Sequence, residues 1–554
     1  MKNKVLLRAF FLTAMAGLAL SLWAGGSSQP GPALSQTQGA YQRDPNLNPP
    51  GTFPINKTTV PLRIGLQQSA TIENWETNWM TLMIERNGNY DLSFDIYPTG
   101  EMTQRFELMV LAGGVDLPDV LLGGFSLARM TRYGQAGMIV PVNDYYENSA
   151  HHINISMSTI DFDCLKYVTS YDGNIYGLYE YAPSLNNGYA VARIMIYEPW
   201  LQRLGLTMPQ SIDEYLNVLR AFRDRDPNGN GIRDEIPLVG QRNNMLTNYP
   251  YTMMTPFIYT QPNFWMFNSN NRIDVPFNKP EWREGLRFTK QLIDEGLLSP
   301  LSFTQDAAQL TAMISPNPPR VGSYVGISTS MLGANDNKRI EYGILPPLQG
   351  PGGRQQVWSP TLPQIAMVIT KNCQTPESAF MLGDYLGSEE LSIITRWGEK
   401  GIDWFEPGPN EIGAYEESLG YPAIIRPVAL WGVLQNKWWA NLGPLIRDIK
   451  WGVGQAFAPD SLDSSISVGR TIGPAVQFTN RNPIIGLVYN EQEQEIMDNY
   501  HRTIITYVEE SFARFVMGDL SIDRDWDRYV SEFNRMGLAD VIRVTQSAWD
   551  RMNR

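Results

Sequence analysis

The sequence predicts an α/β protein built from two large lobes, with a helical C-terminal region. Strand and helix patterns alternate from about residue 60 onward, an order typical of a sheet whose strands are connected through helices. The 554 residues correspond to about three domains or two large lobes, at about 100–200 residues per domain. The sequence contains no internal repeat of the length that builds solenoids or propellers.

The individual elements are predicted from hydrophobic periodicity. Alternation or a short apolar run predicts strands at residues 60–66, 92–97 and 119–122. Apolar residues on one helical face predict a helix from about Glu76 and another over residues 101–111. This strand–helix–strand–helix–strand order indicates a mostly parallel sheet. Further helices are predicted at residues 199–204, 211–223, 280–295 and 376–387 and throughout the C-terminal region.

Composition and charge exclude several classes of protein. The formal net charge is −13, and an acidic surface repels phosphate backbones, so nucleic acid is not an expected partner. The chain has three histidines, a number that does not favour a zinc site or a histidine-based catalytic centre. Cys164 and Cys373 lack metal-ligand spacing. They form either one disulfide or two buried thiols, and the sequence leaves that choice open.

The N-terminus has the three parts of a secretory signal peptide. Lys2, Lys4 and Arg8 form a positive region, residues 9–22 are almost wholly apolar, and Ala24 is a small residue at the predicted cleavage site. The apolar run is short for a membrane span. The mature protein is therefore expected in the periplasm, at the cell surface or in the medium.

Two expectations follow for the mature N-terminus after removal of residues 1–24. No cysteine follows the cleavage site, so the lipid-anchor cysteine of bacterial lipoproteins is missing. Residues 25–58 are rich in Gly, Ser, Gln, Asn and Pro, a composition that predicts a flexible tether.

A loop after the predicted helix 211–223 carries oxygen donors at alternate positions. Ser211 and Glu214 form the Ser-x-x-Glu pattern of a helix capping box. The helix leads into Asp226-Pro-Asn-Gly-Asn-Gly-Ile-Arg-Asp-Glu-Ile-Pro, where oxygen donors separated by glycines are typical of a calcium loop. The predicted ligands are Asp226, Asn228, Asn230, Ile232, Asp234 and Glu235.

The alternative to a calcium site is an ordinary hydrophilic turn, since Asn-Gly and Asp-Pro also build turns. A turn, however, needs fewer oxygen donors than this loop supplies. Ile232 stands where only a backbone carbonyl is needed. The last position of the standard loop, a glutamate, is Pro237 here, and Glu235 is the predicted substitute. We therefore predict a structural calcium ion that fastens the helix and the loop within one lobe.

Several segments, in a shared order along the chain, resemble one family. The segment from Asp226 is the most specific. The others begin at Met109 (Met-Val-Leu-Ala-Gly-Gly-Val-Asp-Leu-Pro-Asp-Val), Asn174 (Asn-Ile-Tyr-Gly-Leu), Glu198 (Glu-Pro-Trp-Leu-Gln-Arg-Leu-Gly-Leu), Lys290 (Lys-Gln-Leu-Ile-Asp-Glu-Gly-Leu-Leu-Ser-Pro), Tyr342 (Tyr-Gly-Ile-Leu-Pro-Pro-Leu-Gln-Gly-Pro), Gly401 (Gly-Ile-Asp-Trp) and Asp525 (Asp-Trp-Asp-Arg-Tyr-Val). The chain thus resembles the extracellular solute-binding proteins, family 1, in the long subgroup of alginate- and oligosaccharide-binding lipoproteins. The resemblance also supports the substitute Glu235, because related alginate-binding proteins close a shortened loop with Asp-Glu.

The resemblance implies a periplasmic-binding-protein fold, in which two hinge-linked α/β lobes close on a ligand. The expected lobes are residues 59–190 plus about 361–410, and residues 191–360 plus about 411–554 with the C-terminal helices. The chain is expected to cross between them near residues 185–192 and 355–362. The implied function is that of a monomeric extracytoplasmic substrate-binding protein of an ABC importer, which delivers an oligosaccharide or another sugar-like ligand to a membrane permease.

A saccharide cleft needs aromatic rings for the C–H faces of the sugar and polar groups for its rim. The predicted ligand-binding residues are Trp75, Trp79, Tyr181, Tyr189, Arg193, Trp265, Trp358, Trp397 and Trp404. Arg193 could pair with the carboxylate of an acidic sugar, with a structural salt bridge as the alternative. Each tryptophan has core packing as its alternative. Four tryptophans on predicted helices are assigned to packing: Trp200, Trp282, Trp526 and Trp549.

Two other functions are compatible with the same features. A ligand-binding module of a membrane sensor would use the same fold. A secreted carbohydrate-active enzyme would need two carboxylates set across a sugar, and pairs such as Glu389-Glu390 and Glu509-Glu510 lie at helical positions typical of solvated faces. Nothing resembles a nucleophile elbow. No catalytic residue is predicted, and the chain is expected not to be an enzyme.

Overall fold

The structure is a computed structural model. It describes residues 41–183, 193–242, 249–260, 267–326, 328–333, 336–355, 361–428, 433–457, 461–462, 468–469, 472, 475–479, 484 and 486–553. The predicted signal peptide and the first part of the predicted tether lie outside the described residues.

The strands form two main sheets and three short ribbons. The strands are β1 (Val60–Gln67), β2 (Tyr90–Tyr97), β3 (Val120–Phe125), β4 (Leu178–Glu180), β5 (Arg193–Tyr197), β6 (Ile236–Val239), β7 (Phe267–Ser269), β8 (Arg272–Asp274), β9 (Val321–Gly326), β10 (Tyr342–Ile344), β11 (Gln349–Gly350), β12 (Gly353–Arg354), β13 (Gln364–Ile369), β14 (Trp404–Phe405) and β15 (Arg426–Pro427). The first sheet has the order β2-β1-β3-β13-β4, and the second has the order β10-β5-β9-β6.

The predicted helices are present, together with shorter ones. The α-helices are Trp79–Gly88, Met102–Leu111, Leu127–Gln135, Asn143–Asn148, His152–Met157, Leu165–Val168, Glu198–Leu204, Ile212–Asp224, Tyr249–Met254, Pro280–Asp294, Ala307–Ile314, Lys338–Glu341, Pro376–Leu386, Glu389–Trp397, Glu416–Leu419, Ile449–Val453, Glu491–Ile496, Arg502–Met517, Trp526–Arg535 and Leu538–Met552. A π-helical turn, Met497–His501, precedes the helix Arg502–Met517. Among the described residues, no helix is both long and apolar enough to cross a membrane.

Each main sheet mixes parallel and antiparallel neighbours. β1 is parallel to β2 and β3, and β6 is parallel to β9. β13 is antiparallel to β3 and β4, and β5 is antiparallel to β9 and β10. The predicted parallel arrangement is confirmed for β1, β2 and β3, from which it was inferred, but the first sheet as a whole is mixed, because β13 is antiparallel to both of its neighbours. The physical reason is that β13 returns to the first sheet from the second, so it is not bound by the crossover rule for consecutive parallel strands.

The second sheet and the C-terminal helices share one hydrophobic core. Tyr215, Leu219 and Phe222 recur with the helical period in the helix Ile212–Asp224, and they are fully buried there. Val508 and Phe512 of the helix Arg502–Met517 are buried in the same core. The C-terminal helices therefore belong to the second lobe. Three of the tryptophans assigned to packing are buried in this core, and the fourth packs against it: Trp200, Trp282, Trp526 and Trp549.

The first sheet has its own core, which includes a segment from the later part of the chain. Ile64 and Leu66 of β1 are fully buried in it, and so are Trp439 and Ile446. The indole N–H of Trp439 donates to the hydroxyl of Thr81 over 2.9 Å. This segment therefore packs in the first lobe, which differs from the predicted boundary at about residue 411. An indole buried with its N–H satisfied anchors a distant segment without any local sequence pattern.

The last part of the predicted tether is folded. Leu47 and Ile55 are buried in the first core. The fully buried Asn56 donates to the carbonyl of Gly88 over 2.8 Å and accepts from the hydroxyl of Ser378 over 2.7 Å. The prediction of a flexible tether to residue 58 is wrong for this stretch, because two apolar anchors and one satisfied amide bind it to the lobe.

The two cysteines are free and buried. Burial raises the pKa of the Cys164 thiol to about 12 and that of Cys373 to about 11. The choice left open by the sequence is resolved in favour of two buried thiols, which are held in the unreactive protonated form.

Candidate functional site

The carboxyl edge of the first sheet is polar. β1, β2, β3 and β4 end at this edge, and the antiparallel β13 begins there, because Gln364 pairs with Glu180. Gln67 and Gln364 are exposed at the edge, while Tyr97 and Glu180 are half-buried. Ligands of open α/β sheets bind outside the carboxyl ends of the strands. This edge is therefore a candidate ligand site.

The second sheet also has a polar edge. Arg193, the first residue of β5, pairs with Gly326, the last residue of β9. Gln241 and Ser328 lie just beyond the ends of β6 and β9, and these two side chains and Arg193 are at most 5% exposed. Polar groups are costly to bury unless they make hydrogen bonds. Their concentration at one edge marks a second candidate ligand surface.

The chain passes between the two sheets at these edges. It leaves the first sheet at Glu180 and enters the second at Arg193, a stretch that we call the first connection. A later segment runs beside the start of this connection. The N–H of Tyr181 donates to the carbonyl of Leu445 over 2.7 Å, and the N–H of Arg447 donates to the carbonyl of Tyr181 over 3.2 Å. Three distant parts of the chain therefore meet at the polar edge of the first sheet.

Arg447 carries a buried cation beside the first connection. Its Nη1 donates to the carbonyl of Ser392 over 2.7 Å and to Oδ1 of Asn441 over 3.1 Å. The guanidinium lies 5.0 Å from the ring centroid of Trp397. Burial lowers the pKa of Arg447 to about 10, and the charge of Glu180 opposes that change. Arg447 is still a cation at neutral pH.

Glu180, Gln364 and Arg447 together form what we call the edge set. The amide of Gln364 donates to the carboxylate of Glu180. Burial raises the pKa of Glu180, whereas the bond from Gln364 and the charge of Arg447 lower it. The set therefore combines an acceptor, an amide that donates and accepts, and a charged donor. These groups suit a hydroxyl-rich ligand, since each hydroxyl both donates and accepts.

The predicted aromatic residues of the first lobe are largely packed. Trp75 is 5% exposed, and its ring lies 6.0 Å from that of Trp439. Trp79 is half-buried against the same core. Tyr181 is buried and stacks on Phe162 with ring centroids 4.9 Å apart. Tyr181 lies at the first connection, whereas Trp75 contributes to the packing of the core.

Trp397 and Trp404 lie in a small separate cluster with Ile393 and Ile425. They are 5% and 7% exposed, and the indole N–H of Trp404 donates to the carbonyl of Gly398 over 3.2 Å. Of the predicted ligand residues, the structure brings Tyr181 and Trp397 to Arg447. Three others lie outside the described residues: Tyr189, Trp265 and Trp358.

The edge set was missed from the sequence, although two of its members leave a signal. Glu180 ends the short run Leu178-Tyr179, and Arg447 follows Leu445-Ile446. A charged residue at the end of a buried apolar run is uncommon without a partner. Gln364 leaves no such signal, because an exposed glutamine at the start of a strand is ordinary.

The helix that leads into the predicted calcium loop begins as expected. The hydroxyl of Ser211 accepts a hydrogen bond from the N–H of Glu214 over 3.2 Å. The carboxylate of Glu214 accepts from the N–H of Gln210 over 2.7 Å, one residue before the position expected in a capping box. The serine cap is therefore confirmed, and the reciprocal contact is displaced by one residue.

The loop is ordered by its own oxygen donors. The carboxylate of Asp226 accepts from the backbone N–H groups of residues 229–231 over 2.9–3.2 Å. The side-chain amides of Asn228 and Asn230 donate to Oδ1 of Asp234 over 3.4 and 3.1 Å. Four of the six predicted ligands therefore make hydrogen bonds within this one loop.

Glu235 is the unsatisfied group of this loop. Both of its carboxylate oxygens are buried and have no hydrogen-bond partner among the described residues. Burial raises the pKa of Glu235, and the charges of Asp226 and Asp234 raise it further. Asp234 is paired with Arg320 over 2.9 Å. A buried carboxylate beside like charges is costly, and a bound cation would relieve that cost.

The carboxylates of the loop do not form a complete metal site by themselves. Within the described part of the chain, no group of three or more His, Cys, Asp or Glu side chains converges as a ligand cluster. A calcium site here would therefore depend on amide and backbone oxygens as well, which are ordinary ligands of this ion.

Comparison with known proteins shows which proteins the chain resembles. No family model matches the chain. Over 455 residues the chain is 24% identical to the fructooligosaccharide ABC transporter substrate-binding protein FusA of Streptococcus pneumoniae, covering 79% of this chain and 80% of FusA. Over 478 residues it is 21% identical to the polygalacturonan/rhamnogalacturonan-binding protein YtcQ of Bacillus subtilis, covering 84% of this chain and 87% of YtcQ. The homologues are ABC-transporter substrate-binding proteins.

Solved structures agree with these relatives. FusA in complex with kestose has a TM-score of 0.73 at 21% identity and covers 89% of this chain and 99% of its own; an EF-hand mutant of FusA in complex with fructo-nystose matches equally well, with a TM-score of 0.73. An HMO-binding solute-binding protein from Bifidobacterium longum infantis has a TM-score of 0.72 at 18% identity, with the same coverage of 89% and 99%. The alginate-binding protein AlgQ2 without calcium ion has a TM-score of 0.64 at 21% identity, again covering 89% and 99%.

These matches confirm the predicted two-lobe α/β fold and the predicted resemblance to the oligosaccharide-binding subgroup. Substrate-binding proteins of ABC transporters bind a ligand and catalyse no reaction. The chain is therefore a binding protein and not an enzyme, as predicted.

Proposed function

We propose that this protein is the extracytoplasmic receptor of an ABC importer, and that it binds an oligosaccharide between its two lobes for delivery to a membrane permease. The observation that carries this proposal is the edge set, which lies where the chain leaves the first sheet for the second. FusA, YtcQ and the HMO-binding protein bind different sugars. Their ligands share a chain of hydroxyl-rich rings, which the donors and acceptors of the edge set suit.

Binding is proposed to use both polar edges. In the first lobe, Glu180 accepts hydrogen bonds from sugar hydroxyls, while Gln364 and Arg447 donate to hydroxyl or carboxylate oxygens. In the second lobe, Arg193 and the buried polar groups around it meet the opposite side of the ligand. Closure of the lobes about the connections removes water from these hydrogen bonds, which strengthens them.

We also propose that the loop at residues 226–235 binds calcium. The ligands would be the side chains of Asp226, Asn228, Asn230, Asp234 and Glu235 and the carbonyl of Ile232. FusA with an altered EF-hand and AlgQ2 without calcium ion are both known. The ion would supply the positive charge that the buried Glu235 lacks and would hold the loop to the helix Ile212–Asp224 in the second lobe.

The N-terminal sequence supports the proposal that the protein acts outside the cytoplasm. Residues 1–24 direct secretion and are removed, and the mature chain acts as a monomer in the periplasm or at the cell surface. Mass spectrometry of the secreted protein would test the cleavage, since a lipid-modified or uncleaved N-terminus would contradict it.

Isothermal titration calorimetry with a panel of oligosaccharides tests the binding function. The panel contains kestose, trigalacturonate and a milk oligosaccharide, because these represent the sugar classes of the relatives. At least one class should bind, raise the unfolding midpoint and be recovered chemically unchanged. Gln364→Ala should weaken that binding, while the exposed control Gln374→Ala should not. Consumption of the sugar, or the absence of binding to every class, would overturn the proposal.

A further inference from the structure

Trp451 lies close to the edge set but does not belong to it. It is part of the short helix Ile449–Val453, which begins two residues after Arg447. A Cβ atom built at Gly452 would lie 3.4 Å from the carbonyl oxygen of Pro183, at the start of the first connection. The backbone of this short helix therefore passes close to the first connection, and Trp451 follows Arg447 by four residues.

The indole of Trp451 is held in a defined position. Its Nε1 donates to Oε1 of Glu389 over 2.8 Å. Trp404 meets it edge to face, with ring centroids 6.2 Å apart and an interplanar angle of 72°. The ammonium of Lys450 lies 5.8 Å from the ring centroid and 4.0 Å from Oε1 of Glu389. A carboxylate and an ammonium thus stand at the rim of a fixed aromatic ring.

The exposure of these groups distinguishes Trp451 from its neighbours. Trp397 and Trp404 are buried, whereas Trp451 is half-buried and Lys450 is exposed. The ring of Trp451 packs against the cluster that contains the buried pair, and the ammonium of Lys450 lies over the ring at 5.8 Å from its centroid. A tryptophan that only packs in a core does not need charged groups beside its ring. A ring that binds a saccharide does, because the ring packs on the C–H groups of the sugar and the charged groups beside it bind the hydroxyls.

We infer that Trp451, Glu389 and Lys450 form an outer saccharide subsite, separate from the edge set. This inference rests on the proposed function, and it specifies the ligand further. A ligand that occupies both the edge set and this subsite contains more than one sugar unit, so the protein is selective for oligosaccharides over single sugars. The first sugar unit binds to the edge set, and a later unit stacks on Trp451.

The test measures affinity against ligand length. The mature chain is titrated by calorimetry with two series, sucrose, kestose and fructo-nystose, and mono-, di- and trigalacturonate. For the series that binds, Trp451→Ala should weaken the longest member roughly fivefold to tenfold, the size expected for one lost aromatic contact. The shortest member that binds should be unaffected. Trp451→Phe, which keeps a flat ring, should stay within about twofold of the parent for every length.

Glu389→Gln provides a second variant that keeps the acceptor for Trp451 and removes the rim charge. It should also weaken long members more than short ones, so the inference can be judged even where Trp451→Ala unfolds. An equal loss at all lengths, or no loss at any length, would overturn the outer subsite while leaving the receptor function intact. If the parent binds neither series nor the milk oligosaccharide, the proposed function fails, and the subsite fails with it.

Discussion

The loop at residues 226–235, where calcium is proposed to bind, and the edge set are two polar regions built in opposite ways. All the donors of the loop come from one continuous stretch, residues 226–235, and much of that stretch is exposed. Glu180, Gln364 and Arg447 come from three distant parts of the chain, and Arg447 is buried. A local motif depends on its ion, whereas a set gathered around a buried cation depends on all its members being present. The difference predicts where substitutions have their largest effects.

The largest effect is expected at Arg447. Arg447→Met should lower the free energy of unfolding by about 3 kcal/mol, because it leaves a buried carbonyl, a buried amide and Glu180 without their cation. Urea unfolding of parent and variant measures the loss. The double variant Arg447→Met/Glu180→Gln should recover part of it, since the uncompensated carboxylate is gone. A loss below about 1 kcal/mol would show that Arg447 contributes no more to stability than an exposed ion pair does.

Removal of calcium is expected to have the next largest effect. Calcium at one hundred times its dissociation constant should raise the free energy of unfolding by about 2.7 kcal/mol over the chelated protein. Thermal unfolding with and without chelator follows this change. Asp226→Asn and Glu235→Gln should abolish the response, and Asp213→Asn, at an exposed position in the first turn of the preceding helix, should retain it. An unchanged midpoint in the parent would make the loop an ordinary turn.

The helix cap before the loop has a smaller effect. Ser211→Ala should cost about 1 kcal/mol, because the N–H of Glu214 loses its acceptor. Chemical unfolding at saturating calcium measures the contribution of this cap to the free energy of unfolding. The matched control is Ser531→Ala, within the helix Trp526–Arg535, where alanine is the better helix former. Equal losses in both variants would mean that Ser211 does not act as a cap.

The smallest effect is a pH dependence of the edge set. Burial raises the pKa of Glu180 above its ordinary value of 4.5, so ionisation costs the folded protein more than the unfolded chain. The stability present below pH 4.5 is therefore lost as the pH rises through the raised pKa. Glu180→Gln should therefore gain stability relative to the parent as the pH rises from 4 to 8. If the stability of the parent and that of the variant changed equally with pH, the raised pKa of Glu180 could not be the cause of the pH dependence.

Several predicted ligand-binding residues are buried, which favours the packing role that the sequence left as the alternative for each tryptophan. Trp75, Trp397 and Trp404 were expected at a ligand surface, yet the structure buries their rings, since an indole suits a core as well as a sugar platform. Trp451 is the half-buried one in the same cluster, and nothing in its local sequence separates it from Trp397. Exposure depends on the surrounding chain, so it was not predictable from the pattern.

The sequence by itself determined the local elements and the loop. Tyr215, Leu219 and Phe222 recur with the helical period and are buried on one face, and the cap at Ser211 and the donors of the loop are neighbours along the chain. Only the tertiary structure decided the direction of β13, the packing of Trp439 in the first lobe and the meeting of Glu180, Gln364 and Arg447. Local patterns report the burial and spacing of adjacent residues. Contacts between segments hundreds of residues apart depend on how whole sheets and connections pack, which no local pattern records.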